Sequence, residues 1–300
     1  MAMKKKIGVV TVLYNSSSVI EDFLISLNCQ IYKNFILYVV DNHSTDDVLF
    51  KVNSLMKSLV FNVVIIAECE NWGVAKGNNI GIKRALADNC DYVLLSNNDT
   101  VLQPTTLENL LKGLEMKDVK LAVPKIYFYQ SNLLNFAGGD FCFYNASGRI
   151  HGYGKMDSLK YNLSYICTYA PTCFMLIDRD VFEHVGFMDE NYFVYFDDTD
   201  FVYRALKKRY EIAYIPDSTI EHKESVCTGG VLSDFYIKYY FRNMVYFSLK
   251  HHCIFQQIVV LGYAYLKLVF HLLTRWRMNR TRKIFSAMND GFKFYNQINY

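Results

Sequence analysis

The chain has no G-x-G-x-x-G after its first apolar run and no Walker lysine motif, which excludes the dinucleotide and P-loop routes to phosphate binding. Its eight cysteines (Cys29, Cys69, Cys90, Cys142, Cys167, Cys173, Cys227 and Cys253) contain no C-x-x-C pair, and no signal peptide precedes the first strand, so reduced cytosolic thiols are expected. A formal net charge of only +3 argues against a nucleic-acid partner. Acidic residues are absent from Phe235 to Asn289 while Lys and Arg recur, which favours contact with an anionic membrane surface. No internal repeat is visible.

What is present is ample core material: 52% of the 300 residues are hydrophobic, which excludes disorder and allows one large α/β unit with an appendage. From Ile7 to about Val123, short β-rich runs alternate with helical patterns, the signature of βαβ units and a parallel sheet. Strands are expected at Ile7 to Tyr14, Phe35 to Val40, Val63 to Ala67 and Tyr92 to Ser96, each followed by polar residues. Ser18-Val19-Ile20-Glu21 fits a capping box, and Pro104 is placed in the first turn of a helix over Thr105 to Leu114. Glycines among aromatics between Lys125 and Lys160 suggest inserted hairpins. A strand over Cys173 to Ile177, a helix over Arg179 to Val185 and a strand over Ile212 to Ile215 follow. The stretch Ile254 to Leu273 nears transmembrane length, but Gln256, Gln257, Lys267 and His271 interrupt it and Arg275, Arg277, Arg280, Arg282 and Lys283 follow. An interfacial helix is the favoured reading over a span or a packed core helix.

Chemistry concentrates at the expected strand ends, where open α/β sheets bind ligands. Asp41 ends the second strand, and its carboxylate can accept the N3–H of uracil or thymine; a turn or cap is the alternative. Asn71 to Gly81 leads small and amide residues into a helix whose free amides can approach an anion, or whose glycines simply pack on the sheet. Asp99, after Asn97 and Asn98, suits a divalent ion already chelated by a diphosphate. His222 could complete that shell as a neutral imidazole, or be structural. Asp197, Asp198 and Asp200 crowd three carboxylates at a helix start; such a cluster resists full ionisation and offers a proton acceptor, while helix-dipole capping is the plainer account.

Taken in order, Val10 to Asn15, Val40 to Ser44, Asn71 to Gly81, Leu95 to Thr100, Phe187 through Arg204, the His222 segment and Tyr239 to Asn243 resemble a family-2 glycosyltransferase of the GT-A fold, and its bacterial rhamnosyltransferase branch, over about Ile7 to Phe247. The resemblance implies a Rossmann-like nucleotide-diphospho-sugar transferase fold, α/β with a mostly parallel central sheet, as the catalytic domain (1–234), followed by a helical, membrane-associating extension (235–300). It implies that Thr11, Tyr14, Asn15, Asp41, Asn42, Ser44, Asn71, Gly73, Lys76, Asn79 and Asn98 line the nucleotide, that Asp99 and His222 serve a Mg²⁺ or Mn²⁺ ion, and that Asp198 is the catalytic base. Asp197, Asp200, Trp72 and Thr172 take acceptor or supporting roles. Asp197 stands where the family usually has Glu, and Asn97 and Asn98 replace the acids of a full D-x-D, so the metal rests on Asp99, phosphate and His222.

The expectation is inverting transfer from a dTDP- or UDP-sugar, dTDP-rhamnose foremost, to a lipid-linked oligosaccharide of O antigen or capsule at the cytoplasmic face of the inner membrane. Galactofuranosyl, galactosyl or glucosyl transfer stays open, as does oligomerisation. A catalytically silent nucleotide-binding subunit and a nucleotidyltransferase are the alternatives from other classes. Asp198 argues against the first, and the lack of a glycine-rich basic loop at Tyr14-Asn15-Ser16 against the second.

Overall fold

The computed structural model describes residues 4–223, 233–275 and 278–299; Glu224, Ser225, Cys227 and Arg277 lie outside the described residues. The elements run β1 (Ile7–Leu13), α1 (Ile20–Asn28), β2 (Phe35–Asp41), α2 (Val48–Met56), β3 (Asn62–Ala67), α3 (Gly73–Ala87), β4 (Tyr92–Ser96), β5 (Thr100–Leu102), α4 (Thr106–Lys117) and β6 (Leu121–Phe128). Short strands β7 (Leu134–Phe136), β8 (Gly139–Cys142), β9 (Ser147–Ile150) and β10 (Tyr165–Cys167) follow, then β11 (Phe174–Asp178), α5 (Arg179–Val185), α6 (Asp197–Lys207) and β12 (Ile212–His222). Three helices close the chain: α7 (Asp234–His251), α8 (Ile254–Arg275) and α9 (Met278–Asn299).

The main sheet has the order β10-β12-β6-β11-β4-β1-β2-β3. β3, β2, β1, β4, β6 and β12 run one way; β11 and edge strand β10 run the other. The mostly parallel sheet expected from the βαβ pattern is therefore present. β1 and β4 are continuous apolar runs because both their faces are covered. α3 lies so close to β1 that a Cβ on Gly81 would sit 2.3 Å from Val10 Cγ1 and one on Gly77 2.8 Å from Val12 Cγ1. Both glycines weaken an isolated helix by about 0.5–1 kcal/mol each, and close packing on the sheet offsets that.

Several local readings are corrected. α1 starts at Ile20 after an N-cap, Val19, that makes no side-chain capping bond, and Glu21 faces Lys51 at 3.3 Å, so the capping box does not form. α4 starts at Thr106, two residues beyond Pro104, whose carbonyl accepts the Ile31 N–H at 2.9 Å. β12 does not stop at Ile215: a bulge before Thr219 lets it continue to His222, which closes the strand instead of following it.

The C-terminal helices share an aromatic-rich core with the segment before α6, including Tyr192, Phe196, Tyr203, Met244, Phe247 and Met288. At its edge Asp200 is fully buried and meets Arg204 Nε at 2.6 Å, Lys250 Nζ at 2.7 Å and His251 Nε2 at 2.6 Å. Lys250 also reaches Asp189 at 2.7 Å, and Arg204 donates to the carbonyls of Val185 and Phe187. Asp200 is thus a structural hub joining α6 to α7, not an acceptor contact. One face of α8 is seated through Val260, Ala264 and Leu268, while Ile254, Phe255, Ile258, Leu266 and Phe270 are exposed. Among the described residues no helix is long and apolar enough to cross a membrane.

Burial alone would raise the Asp200 carboxyl, but His251, Arg204 and Lys250 outweigh it and hold the group far below the usual carboxylate range. That stabilisation is complete above the unfolded value near ~4 and fades only as pH falls towards the folded one. Asp200→Asn should cost about 3–5 kcal/mol near neutrality, because Arg204 and Lys250 lose the buried carboxylate they pair with and His251 loses its acceptor. The deficit relative to wild type, read by urea denaturation, should shrink as the pH is lowered below ~4.

Candidate active site

The carboxyl ends of β1, β2, β4 and β12 share one edge of the sheet, and hydrogen bonds stitch the residues there together. Asn98 Nδ2 donates to Val12 O at 2.8 Å and to Ser16 Oγ at 3.1 Å, tying the end of β4 to the end of β1. Asn42 Nδ2 donates to Gly73 O at 2.9 Å, tying β2 to the start of α3. Asn97 N donates to Cys173 O at 2.8 Å, so Thr172 and Cys173 enter the same edge ahead of β11. Val74 N donates to Phe193 O at 2.7 Å and brings in the chain that leads to Asp197.

Within this edge the nucleotide-binding expectations divide by what each side chain already does. Thr11 Oγ1 and Asn42 Oδ1 are buried with no protein partner, so polar capacity is left there for a ligand. Asp41 is buried and accepts the Ser44 N–H at 3.2 Å. Asn15, at φ 49°, accepts from Thr45 N at 2.8 Å, while its own N–H donates to Ser44 Oγ at 3.0 Å, fixing the loop beside exposed Tyr14. Asn71 Oδ1 accepts the Gly73 N–H at 2.9 Å. With Gly73 N and Val74 N both engaged, only the later amides of the first turn of α3 remain for an anion. Lys76 lies over the Trp72 ring, and the Trp72 indole N–H donates to Glu68 at 3.0 Å.

Asn79 departs from its expected role. Its amide donates to Met188 O and to Glu190, and its oxygen accepts Met188 N at 3.0 Å, so all its polar atoms are spent holding the segment before α6 on α3. The Asn98 amide nitrogen is likewise spent, on Val12 O and Ser16 Oγ at the end of β1.

Asp99 Oδ1 lies 3.0 Å from His222 Nε2, with both side chains largely buried. A carboxylate oxygen facing an imidazole nitrogen is a donor set that Mg²⁺ or Mn²⁺ accepts when phosphate oxygens and water supply the remainder. Among the described residues no third His, Cys, Asp or Glu joins them. The pair therefore fits an ion delivered with a diphosphate better than a resident one.

Asp198 is half-buried at the start of α6. Its Oδ1 accepts Thr199 N at 2.6 Å and its Oδ2 accepts the Tyr169 hydroxyl at 3.4 Å. Burial raises both Asp197 and Asp198, and in Asp197 repulsion from Asp198 adds to it. The pair shares its titration, whereas Asp200 three residues on is held anionic, so the three carboxylates of the motif behave in two opposite ways. Tyr195 and Phe196, immediately upstream, sit at φ 62° and 67°. Left-handed backbone at two bulky residues costs on the order of 1–3 kcal/mol each. Asn243 of α7 offsets this by donating to Val194 O at 2.8 Å and Tyr195 O at 2.9 Å.

Tyr169 has no motif to reveal it in the sequence. Its ring is clamped by two glycines of the β8–β9 hairpin: a Cβ on Gly148 would fall 1.9 Å from the ring and one on Gly139 3.1 Å from the Tyr169 carbonyl. The hairpin thereby fixes the hydroxyl that meets Asp198.

The glycosyl transferase family 2 model matches residues 8–186, more than half of the chain. The chain belongs to that family. Glycosyltransferase GlyG of Streptococcus pneumoniae serotype 4 is 26% identical over 221 residues, 72% of this chain and 70% of that protein. The dTDP-rhamnosyl transferase RfbF of Shigella flexneri is 25% identical over 199 residues, 63% and 60% of the two chains. Among solved structures, S. aureus TarS in complex with UDP-GlcNAc superposes with a TM-score of 0.62 at 17% identity, covering 97% of this chain and 81% of that one. GalNAc-T7 with UDP, GalNAc and Mn²⁺ superposes at 0.66 with 14% identity, covering 83% and 48%. The fold is that of GT-A glycosyltransferases, and this protein is a glycosyltransferase that uses a nucleotide sugar.

Tyr169→Phe removes a hydrogen bond that favours the Asp198 carboxylate and should shift the acid limb of kcat/KM for sugar transfer to higher pH.

Proposed function

We propose that the protein is an inverting transferase moving a deoxyhexose, L-rhamnose from dTDP-rhamnose foremost, to a hydroxyl of a lipid-linked glycan. The observation that carries the chemistry is Asp198: a carboxylate whose pKa is raised by burial and whose two oxygens are oriented by Thr199 and Tyr169. A carboxylate raised in this way holds a proton more tightly than an exposed one does, which favours a general base. In this reading Thr11, Asn15, Asp41, Asn42, Ser44, Asn71 and Gly73 surround the nucleoside, and Tyr14, Trp72, Lys76 and Thr172 edge the cleft.

The acceptor hydroxyl gives its proton to Asp198 Oδ2 as its oxygen bonds to the anomeric carbon. The bond from that carbon to the diphosphate oxygen breaks on the opposite face, and the electron pair leaves with the nucleoside diphosphate, inverting the centre through an oxocarbenium-like state. Asp99 and His222 would hold a divalent ion which, when bound, neutralises charge on the diphosphate. Asp197 tunes the base, and Asp200 keeps α6 in place. The likeness to RfbF supports the sugar and the dTDP carrier; a screen of dTDP- and UDP-sugars decides between rhamnose and a hexose.

The location proposed is the cytoplasmic face of the inner membrane, with the exposed apolar face of α8 in the interface. Arg280 and Arg282 of α9 would meet anionic headgroups, each worth about 1 kcal/mol, while Lys283 is paired with Asp234 at 2.6 Å.

Asp198→Asn should lower transfer roughly 10²–10⁴-fold while leaving donor affinity intact, measured by turnover and by calorimetry with the nucleotide sugar. Asp99→Ala should weaken donor binding in the presence of Mn²⁺ and little in EDTA. Replacing Ile254, Phe255 and Ile258 together with Ser should release the full chain from phosphatidylglycerol vesicles in a flotation assay; unchanged flotation would rule out α8 as the contact.

A further inference from the structure

Along β12, at Thr219, Ile220 and Glu221, lies a crevice of about 420 Å³ that the transfer chemistry leaves unused. Side chains alternate along a strand, so Thr219 and Glu221 of β12 point away from the face on which His222 meets Asp99. Tyr127 of β6 pairs with Glu221 and lines the same crevice. Gln103 enters from the β5–α4 connection, and Asn132 and Asp157 from the segments inserted between β6 and β10.

Three of its polar side chains, Asp157, Tyr127 and Glu221, are already held by hydrogen bonds. Lys125, 3% exposed, donates to Asp157 at 3.0 Å and to Asn162, and the Tyr127 hydroxyl donates to Asp157 Oδ2 at 2.5 Å. Gln130 N donates to Glu221 Oε2 at 2.9 Å. Rigid hydrogen-bonding groups around a concave surface are the mark of a built site.

The lining also selects the kind of ligand. No Lys, Arg or His is among the described residues that line the crevice, and two carboxylates are, so phosphate and nucleotide are repelled. Asp157 is already occupied by Lys125 and Tyr127, which leaves no open carboxylate pair for a cation. Amides, hydroxyls and carboxylates together match a ligand that both donates and accepts at several points, while the Tyr127 ring and Met156 offer apolar surface to its C–H face. The volume lies in the range of small-ligand sites, ~300–1,000 Å³, on the order of one or two sugar rings.

We propose that this crevice is a second saccharide-binding site, holding a neutral sugar unit of a glycan away from the centre where transfer takes place. It depends on the lining and not on the assignment of Asp198, so either reading can fail alone.

The test is saturation-transfer NMR on the full chain with UDP and Mn²⁺ in excess, probed with methyl rhamnoside, methyl glucoside, methyl galactoside and N-acetylglucosamine. At least one probe should bind, and its affinity should fall roughly tenfold in Gln103→Ala/Asn132→Ala, the loss of one or two hydrogen bonds, yet stay unchanged in Asp198→Asn. Asn132→Trp, which fills the crevice from an exposed position, should abolish the signal and keeps the test open if the double variant does not fold. The proposal is overturned if no probe binds, if binding survives both crevice changes, or if it is lost in Asp198→Asn alone.

Discussion

The burial of one carboxylate, Asp200, against Arg204, Lys250 and His251 ties α6 to α7 and to the segment that leads into it. α6 is a short amphipathic helix that carries the proposed base at its first turn, and a helix so short has little stability of its own. What holds it is Arg204 within the helix and Lys250 and His251 from α7, all closing on a side chain that water does not reach. Arg204 and Lys250 extend the same network to Val185, Phe187 and Asp189, so the approach to α6 is fixed by the charges that fix the helix itself.

Two opposing electrostatic environments therefore sit on one helical turn. Burial without a cation leaves Asp197 and Asp198 reluctant to ionise, and the hydrogen bond from His251 with the charges of Arg204 and Lys250 keeps Asp200 ionised well below the usual carboxylate range. Separation of roles among like residues by surroundings alone lets one short motif supply both the proposed proton acceptor and an anchor.

Much of this was legible in the sequence and some was not, for reasons that can be named. The strands β1, β2 and β4 were readable because central parallel strands are apolar on both faces, and the positions of Asp41 and Asp99 just at strand ends were readable because polar residues follow those apolar runs. The capping box at Ser18 failed because Glu21 finds Lys51 across space, and β12 was cut short because Pro216 and Asp217 hide a strand that resumes after a bulge. Asp200 looked like its neighbours in the motif, since its partners on α7 lie some fifty residues away. Tyr169 carried no local signal at all: its importance lies in the two glycines that press on it and in a carboxylate from another element.

The left-handed pair Tyr195 and Phe196 bears on how the molecule comes together. The carbonyls of Val194 and Tyr195 are satisfied by the Asn243 amide, 48 positions further along for Tyr195. A chain made from its amino terminus can complete the β1–β4 layer early, yet the turn that aims Asp198 has no partner to hold it until α7 has been synthesised and docked. The residues of the proposed nucleotide site can thus be in place before the turn that carries the proposed base, so a half-made polypeptide holds the first without the second.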